Sequence, residues 1–129
     1  MKVLYRVIAY YLDGRARHSV ATLYGERGTT EFRLEVVYEG VNQHKPIQHT
    51  VSSAHYDALA AAFLRANFDK LADQDITIKR LKTLWMVERA AGIFHHSILL
   101  TPQQPELPYS IIVNALDSYL PEAIREVLL

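Results

Sequence analysis

Cysteine is absent from this 129-residue sequence. That absence excludes disulfides, thiolate zinc sites and cysteine nucleophiles together. It leaves the redox compartment open. Excess charge is absent too, because 14 Lys and Arg residues balance 14 Asp and Glu residues. Such a chain has no long-range field to gather nucleic acid or an anionic membrane, so nucleic acid is an unfavoured partner. No apolar run approaches the eighteen residues a spanning helix needs, and no membrane partner is expected. The opening MKVLYRVIAYYLDGR pairs a lysine with an apolar run, as a signal peptide does. Arg6 interrupts that run, three tyrosines lie in it, and no small-residue cleavage pattern follows. A cytoplasmic protein is the expectation.

Catalytic and phosphate-binding signatures are missing as well. There is no G-x-S-x-G elbow, no phosphate-cradling glycine loop and no dinucleotide fingerprint. Asp73-Gln74-Asp75 opens like a calcium loop, but the sixth position is Ile78 and the twelfth is Leu84, where glycine and glutamate are required. His44, His49 and His55 have four and five residues between them and straddle Pro46, a spacing that fits neither a zincin helix nor a zinc finger. No metal and no cofactor is expected.

What is present is a composition that folds. Half of the residues are hydrophobic and 22% are charged, and a chain of this length buries roughly two-thirds of its unfolded surface. One compact domain over 1–129 is expected, without a linker, repeat or low-complexity segment.

The first fifty residues alternate with period two between turn signals, the mark of half-buried antiparallel strands. Val3, Tyr5, Val7 and Ala9 share a face, with Arg6 on the other. Asp13-Gly14 suits a tight hairpin turn, and residues 16–24 form a second strand closed by Gly25 and Gly28. Phe32, Leu34, Val36 and Tyr38 then alternate with Glu31, Arg33, Glu35 and Val37, whose charged side faces water. Ile47 to Val51 make a fourth strand.

The period next becomes helical. Ser52 or Ser53 caps a helix that ends near Asn67, with Tyr56, Leu59, Ala60, Phe63 and Leu64 as its buried stripe. Its other side carries Ala54, Ala58, Ala61 and Ala62, with only Asp57 and Arg65 nearby. Alanine's helix propensity accounts for that bareness; so does a surface that another helix or another molecule approaches closely. Residues 76–91 fit either a helix capped by Asp75 or a strand centred on Leu84 to Val87. The apolar positions do not collect on one helical face, which favours a hairpin turning at Arg89 to Gly92 and returning from Ile93 to Thr101. TPQQPELP is too stiff and donor-poor to join a sheet. A last helix starts at Pro108 and buries Tyr109, Ile112, Val113, Leu116, Tyr119 and Leu120, and Pro121 kinks it or begins another, with Ile124, Val127 and Leu128 on one face. The expected fold class is α+β, an antiparallel sheet in the order ββββ-α-ββ-α with helices packed on one face.

Candidate ligand-binding residues are the inward histidines. His95 and His96 are adjacent in a strand, so they point to opposite faces and cannot share one metal. His96 lies on the side of Ile98 and Leu100, and His49 on the side of Ile47 and Val51. If both strands face one layer, His49 and His96 meet beneath a helix. No inward carboxylate orients them, as metal and triad histidines usually require. Tyrosines are the other candidates: eight in all, five within the first 38 residues. Tyr10, Tyr11, Tyr24 and Tyr38 lie near strand ends, where a ring packs and its hydroxyl stays wet, a role that serves either a sheet or an interface. No catalytic residue is assigned.

The leading expectation is a non-catalytic protein-binding or accessory domain of a soluble, bacterial-type protein. Its partner is another protein or a second copy, met through the face of Ala54, Ala58, Ala61, Ala62 and Arg65, through Tyr10, Tyr11, Tyr24 and Tyr38, or through a sheet edge. One alternative is a small-molecule or hydrolytic pocket anchored by His49 and His96. A second is nucleic-acid binding through Arg15, Arg17, Lys79, Arg80 and Lys82, which requires those side chains to converge.

Overall fold

The structure, a computed structural model, describes residues 2–26 and 31–129. Six strands form one antiparallel sheet: β1 (Lys2–Tyr11), β2 (Ser19–Glu26), β3 (Glu31–Tyr38), β4 (Ile47–Ser52), β5 (Thr83–Ala91) and β6 (Phe94–Leu100), in the spatial order β4-β3-β2-β1-β5-β6. Two helices, α1 (Ser53–Arg65) and α2 (Tyr109–Tyr119), complete the α+β fold. β1 to β4 pair in chain order as an antiparallel meander. The chain then crosses behind the sheet through α1, and β5 enters beside β1, so the first strand becomes a central one.

Strand parity decides which side chains are covered. Tyr5, Val7, Ala9 and Tyr11 of β1 are buried, as are Ala21 and Leu23 of β2, Phe32, Leu34, Val36 and Tyr38 of β3, Val51 of β4, Trp85 and Val87 of β5, and Ile98 and Leu100 of β6. All lie on one face, and the helices pack against it. The alternating pattern read from the sequence therefore sorts the sheet's inside from its outside correctly.

The Ser52 hydroxyl accepts the His55 N–H at 3.1 Å and starts α1. The helix buries Leu59, Ala62 and Phe63, followed by Ala66 beyond its end. This stripe is rotated by one position from the expected one, and Leu64 is 83% exposed. The rotation follows from α2, which packs beside α1: His55 lies 5.7 Å from the Tyr119 ring, and Arg65 borders Ile111, Ala115 and Tyr119. Between those two contacts the same helical side carries Ala58 and Ala62, small enough for a second helix to come close. The helix ends as Asn67 takes a left-handed conformation (φ 53°).

Residues 71–82 have no regular structure yet are fixed in place. The glutamines of TPQQPELP hold them. Gln103 Oε1 accepts the N–H groups of Lys82 and Thr83, at 2.7 and 2.9 Å, and its amide donates to Arg80 O. Gln104 accepts from Thr77 N and donates to Asp75 O. The connection stays out of the sheet, as its prolines dictate, but it is not donor-poor.

Four further expectations are corrected. The β1–β2 connection is a longer loop over 12–18, in which Gly14 has φ 75°. Gly25 does not close β2 but lies inside it, paired with Val3, while Gly28 lies outside the described residues. The hairpin turns at Gly92-Ile93, two residues later than the expected turn at Arg89 to Gly92, with Gly92 at φ 62° in the first turn position. No last helix carries Val127 and Leu128; after a 3-10 turn at Pro121–Ile124 the chain is extended, and Arg17 N donates to Val127 O at 2.8 Å. Ala16, in the β1–β2 loop, captures Leu128 in a bridge.

Candidate functional site

Strand register places the two candidate histidines in one transverse row of the covered face, which reads His96–Arg89–Tyr5–Leu23–Leu34–His49. They share a face and even a row, but they occupy its two ends. Five strand spacings separate them, roughly 24 Å. The expected meeting of His49 with His96 is thereby overturned, because β5 and β6 join the sheet beside β1 and not beside β4.

Each histidine has its own local setting. The His96 Nε2–H donates to Leu71 O at 2.7 Å, and its ring meets the edge of Phe68 at 5.5 Å. This ties the irregular segment to the sheet. His49 borders a shallow hollow with Glu31, Phe32, Arg33, Gln48 and Thr50. Among the described residues no three His, Asp or Glu side chains converge as a metal-ligand set.

Polar groups do converge in one recess on the covered face, at the end of α1. Arg89 holds Asp69 at 2.8 Å and lies beside the Tyr5 hydroxyl, among Ala60, Phe63, Leu64, Asn67 and Phe68. Burial raises the Tyr5 pKa above the ordinary phenol value of 10.0, against the opposing pull of Arg89. The recess measures about 240 Å³. Small-molecule pockets span ~300–1,000 Å³, so this one is undersized, and Asp69 already answers its only cation.

The uncovered face of the sheet is the larger feature. Register orders it into transverse rows. One is polar: Gln48–Glu35–Thr22–Arg6–Glu88–Ser97. The next is apolar: Val37–Val20–Ile8–Met86–Leu99. Val20 and Leu99 are exposed, and Val37, Ile8 and Met86 are half-buried by their neighbours alone. Tyr10 beside Leu84 extends the apolar area on one side, and Tyr24 beside Leu4 lies beyond the polar row. A hollow of about 490 Å³ opens there between Leu4, Tyr24 and Gly25, rimmed by Lys2, Glu31 and Arg33.

Charges on this face answer one another. Glu88, with a side chain only 12% exposed, lies 3.6 Å from both Arg6 and His95, and Arg6 Nε donates to Thr22 Oγ1 at 3.3 Å. Arg33 pairs with Glu35 at 3.1 Å while lying over the Tyr24 ring at 4.6 Å. The result is a locally neutralised surface with an apolar band across five strands.

The remaining candidates divide between the two layers. Tyr10 and Tyr24 lie on the open face, whereas Tyr11 and Tyr38, 3% and 5% exposed, belong to the core and offer no surface. Ala62 is fully buried and Ala58 half-buried beside α2, so only Ala54, Ala61 and Arg65 of that helix set are exposed. The helix that approaches the alanine face is the chain's own. Arg15 is committed to Asp13 and Glu126, each at 2.8 Å, and Arg17 donates to Glu39 O. Sequence reasoning missed Ile8, Met86, Leu99 and Val20 as a surface. The signal was present in the even-numbered positions of β1, where Leu4, Ile8 and Tyr10 are too apolar for a face that meets only water.

No known protein family matches the chain, and a comparison with curated proteins finds no match. Among the described residues no helix is long and apolar enough to cross a membrane.

Proposed function

We propose that the chain is a non-catalytic protein-binding accessory domain, acting in the cytoplasm, and that its recognition surface is the open face of the sheet. One observation carries this reading: the row Val37–Val20–Ile8–Met86–Leu99 crosses five strands on the side opposite to α1 and α2. An antiparallel sheet face that meets only water carries polar residues at such positions, as Glu31, Arg33 and Glu35 do on β3. Continuous apolar area with tyrosine, methionine and arginine around it has the composition of a protein contact. Mutual neutralisation of Arg6, Glu88, Arg33 and Glu35 leaves little to attract a phosphate backbone.

The test compares what the wild-type protein and an Ile8→Asp/Met86→Asp variant retain when purified from the native cells. Circular dichroism verifies that the variant is folded, and Ile93→Asp at the exposed hairpin tip serves as the control. Loss of a retained protein, or of self-association, in the open-face variant alone supports the reading. An identical retained set in all three proteins overturns it.

A further inference from the structure

Resting on that reading, we infer that the occupant of the open face is a second copy of this chain, packed sheet on sheet about a two-fold axis. Shape is the first argument. A broad twisted sheet is matched best by another sheet of the same twist, stacked about 10 Å away with strands inclined at about −30°. Here the face spans six strands. Its flat footprint, about 24 Å across by about 26 Å along the strands, is roughly 600 Å² before side-chain relief is added, close to the ≈ 800 Å² per partner of a standard interface.

Charge is the second argument. A two-fold axis lying in the interface along the apolar row sets Val20, Ile8 and Met86 against their own copies. The same rotation carries the polar row of each sheet to opposite sides of the axis. Arg6 does not stack on Arg6, nor Glu88 on Glu88. Because each of these charges is already answered within its own sheet, closing the interface strands no unpaired ion. An isologous contact of this type closes on itself and leaves no apolar surface to propagate.

At one of its two edges, that of β6, the sheet is already occupied by the chain itself. Asp73 Oδ1 accepts Leu99 N and Gln74 Oε1 accepts Thr101 N, so residues 73 and 74 occupy the outer side of β6. Association through that edge would first have to strip off the irregular segment.

Light scattering on the purified protein reads the mass directly, against 14.8 kDa for one chain. Wild type and Ile93→Asp are expected at twice the chain mass, and Ile8→Asp at the single mass, with self-association weakened roughly 30-fold or more, the scale of an interface hot spot. As the chain has no cysteine, Met86→Cys supplies a single thiol beside the axis; sheets about 10 Å apart hold the two sulfurs too far from each other for a disulfide, so a short bismaleimide, each of whose two rings adds one thiolate across its C=C bond, should link them into a covalent dimer. An equivalent Ile93→Cys should stay unlinked. A wild-type dimer that survives Ile8→Asp and does not link through Met86→Cys overturns the inference, since its contact is elsewhere. A wild-type monomer that retains a different protein through the open face overturns the second copy and leaves the binding reading standing. A monomer whose retained set ignores the open-face variants removes both.

Discussion

The Tyr56 ring lies directly over Gly25: a Cβ placed at residue 25 would sit 2.6 Å from the Tyr56 hydroxyl oxygen and 2.7 Å from the ring carbons beside it. Gly25 pairs with Val3 near the end of β2 but still within the ladder, a place where glycine is otherwise unfavourable, so close approach is the reason for it. The ring has little room to retreat. It stacks on Phe32 at 4.0 Å and meets Tyr5 edge-on at 5.9 Å. Gly25→Ala is therefore expected to lower stability by about 1–3 kcal/mol, the range of overpacking. A denaturant double-mutant cycle with Tyr56→Ala checks it, because removing the ring should make the alanine nearly harmless.

Alkali should unfold this protein through its tyrosines. Burial pushes Tyr11 and Tyr56 up to about 12 from 10.0. Between those values the unfolded chain releases protons that the folded chain retains, so stability must fall as pH rises. The contribution is complete below about pH 10, declines through the window to about pH 12 and then levels off. Each shifted tyrosine contributes a slope of at most about 1.4 kcal/mol per pH unit. Melting temperature against pH should be flat with respect to these groups below the window. Tyrosinate absorbance of the folded protein should lag that of the denatured chain, and coincident curves would refute the assignment.

His49 and His96 should behave as strangers. His96→Ala removes the donor to Leu71 O and is expected to cost about 1 kcal/mol, with faster amide exchange confined largely to the segment after Leu71. His49→Ala, in the edge strand β4, should stay within about 0.5 kcal/mol of wild type. The double variant should show the sum of the two. A coupling well above about 0.5 kcal/mol would contradict a separation of five strand spacings.

That pair also shows where legibility stopped. Side-chain parity is local, so the faces of His49 and His96 could be read from their neighbours, and the structure agrees on both. Strand order is not local. β5 could have joined beside β4 or beside β1, and only the second separates the histidines; no residue in either strand states the choice. The same limit applies to α1. Its helical period was plain from Tyr56 to Phe63, but which flank is buried depended on where α2 would lie, and so Ala62 and Leu64 exchanged roles. The open face was half legible. Its charged residues on β3 were seen one strand at a time, while the apolar band exists only once five strands are laid side by side.

Gln103 offers the most local test of how an irregular segment is held. One side-chain oxygen accepts two successive backbone N–H groups, Lys82 and Thr83, where the chain enters β5. The amide of the same side chain donates to Arg80 O at 3.2 Å. Gln103→Ala leaves the N–H of buried Thr83 to find another acceptor, and the expected loss is about 1–3 kcal/mol. Gln103→Glu separates the two functions, since a carboxylate still accepts both N–H groups but cannot donate to Arg80 O. It should retain most of the stability that alanine loses, more so where Lys82 and Arg80 keep their charge nearby. Equal destabilisation by the two substitutions, measured by urea unfolding at neutral pH, would show that the donor matters more than the double acceptor. Exchange at the Lys82 and Thr83 amides should rise in the alanine variant before the central strands are affected, because those two N–H groups lose their bond directly while the ladder of β1 with β5 keeps its own.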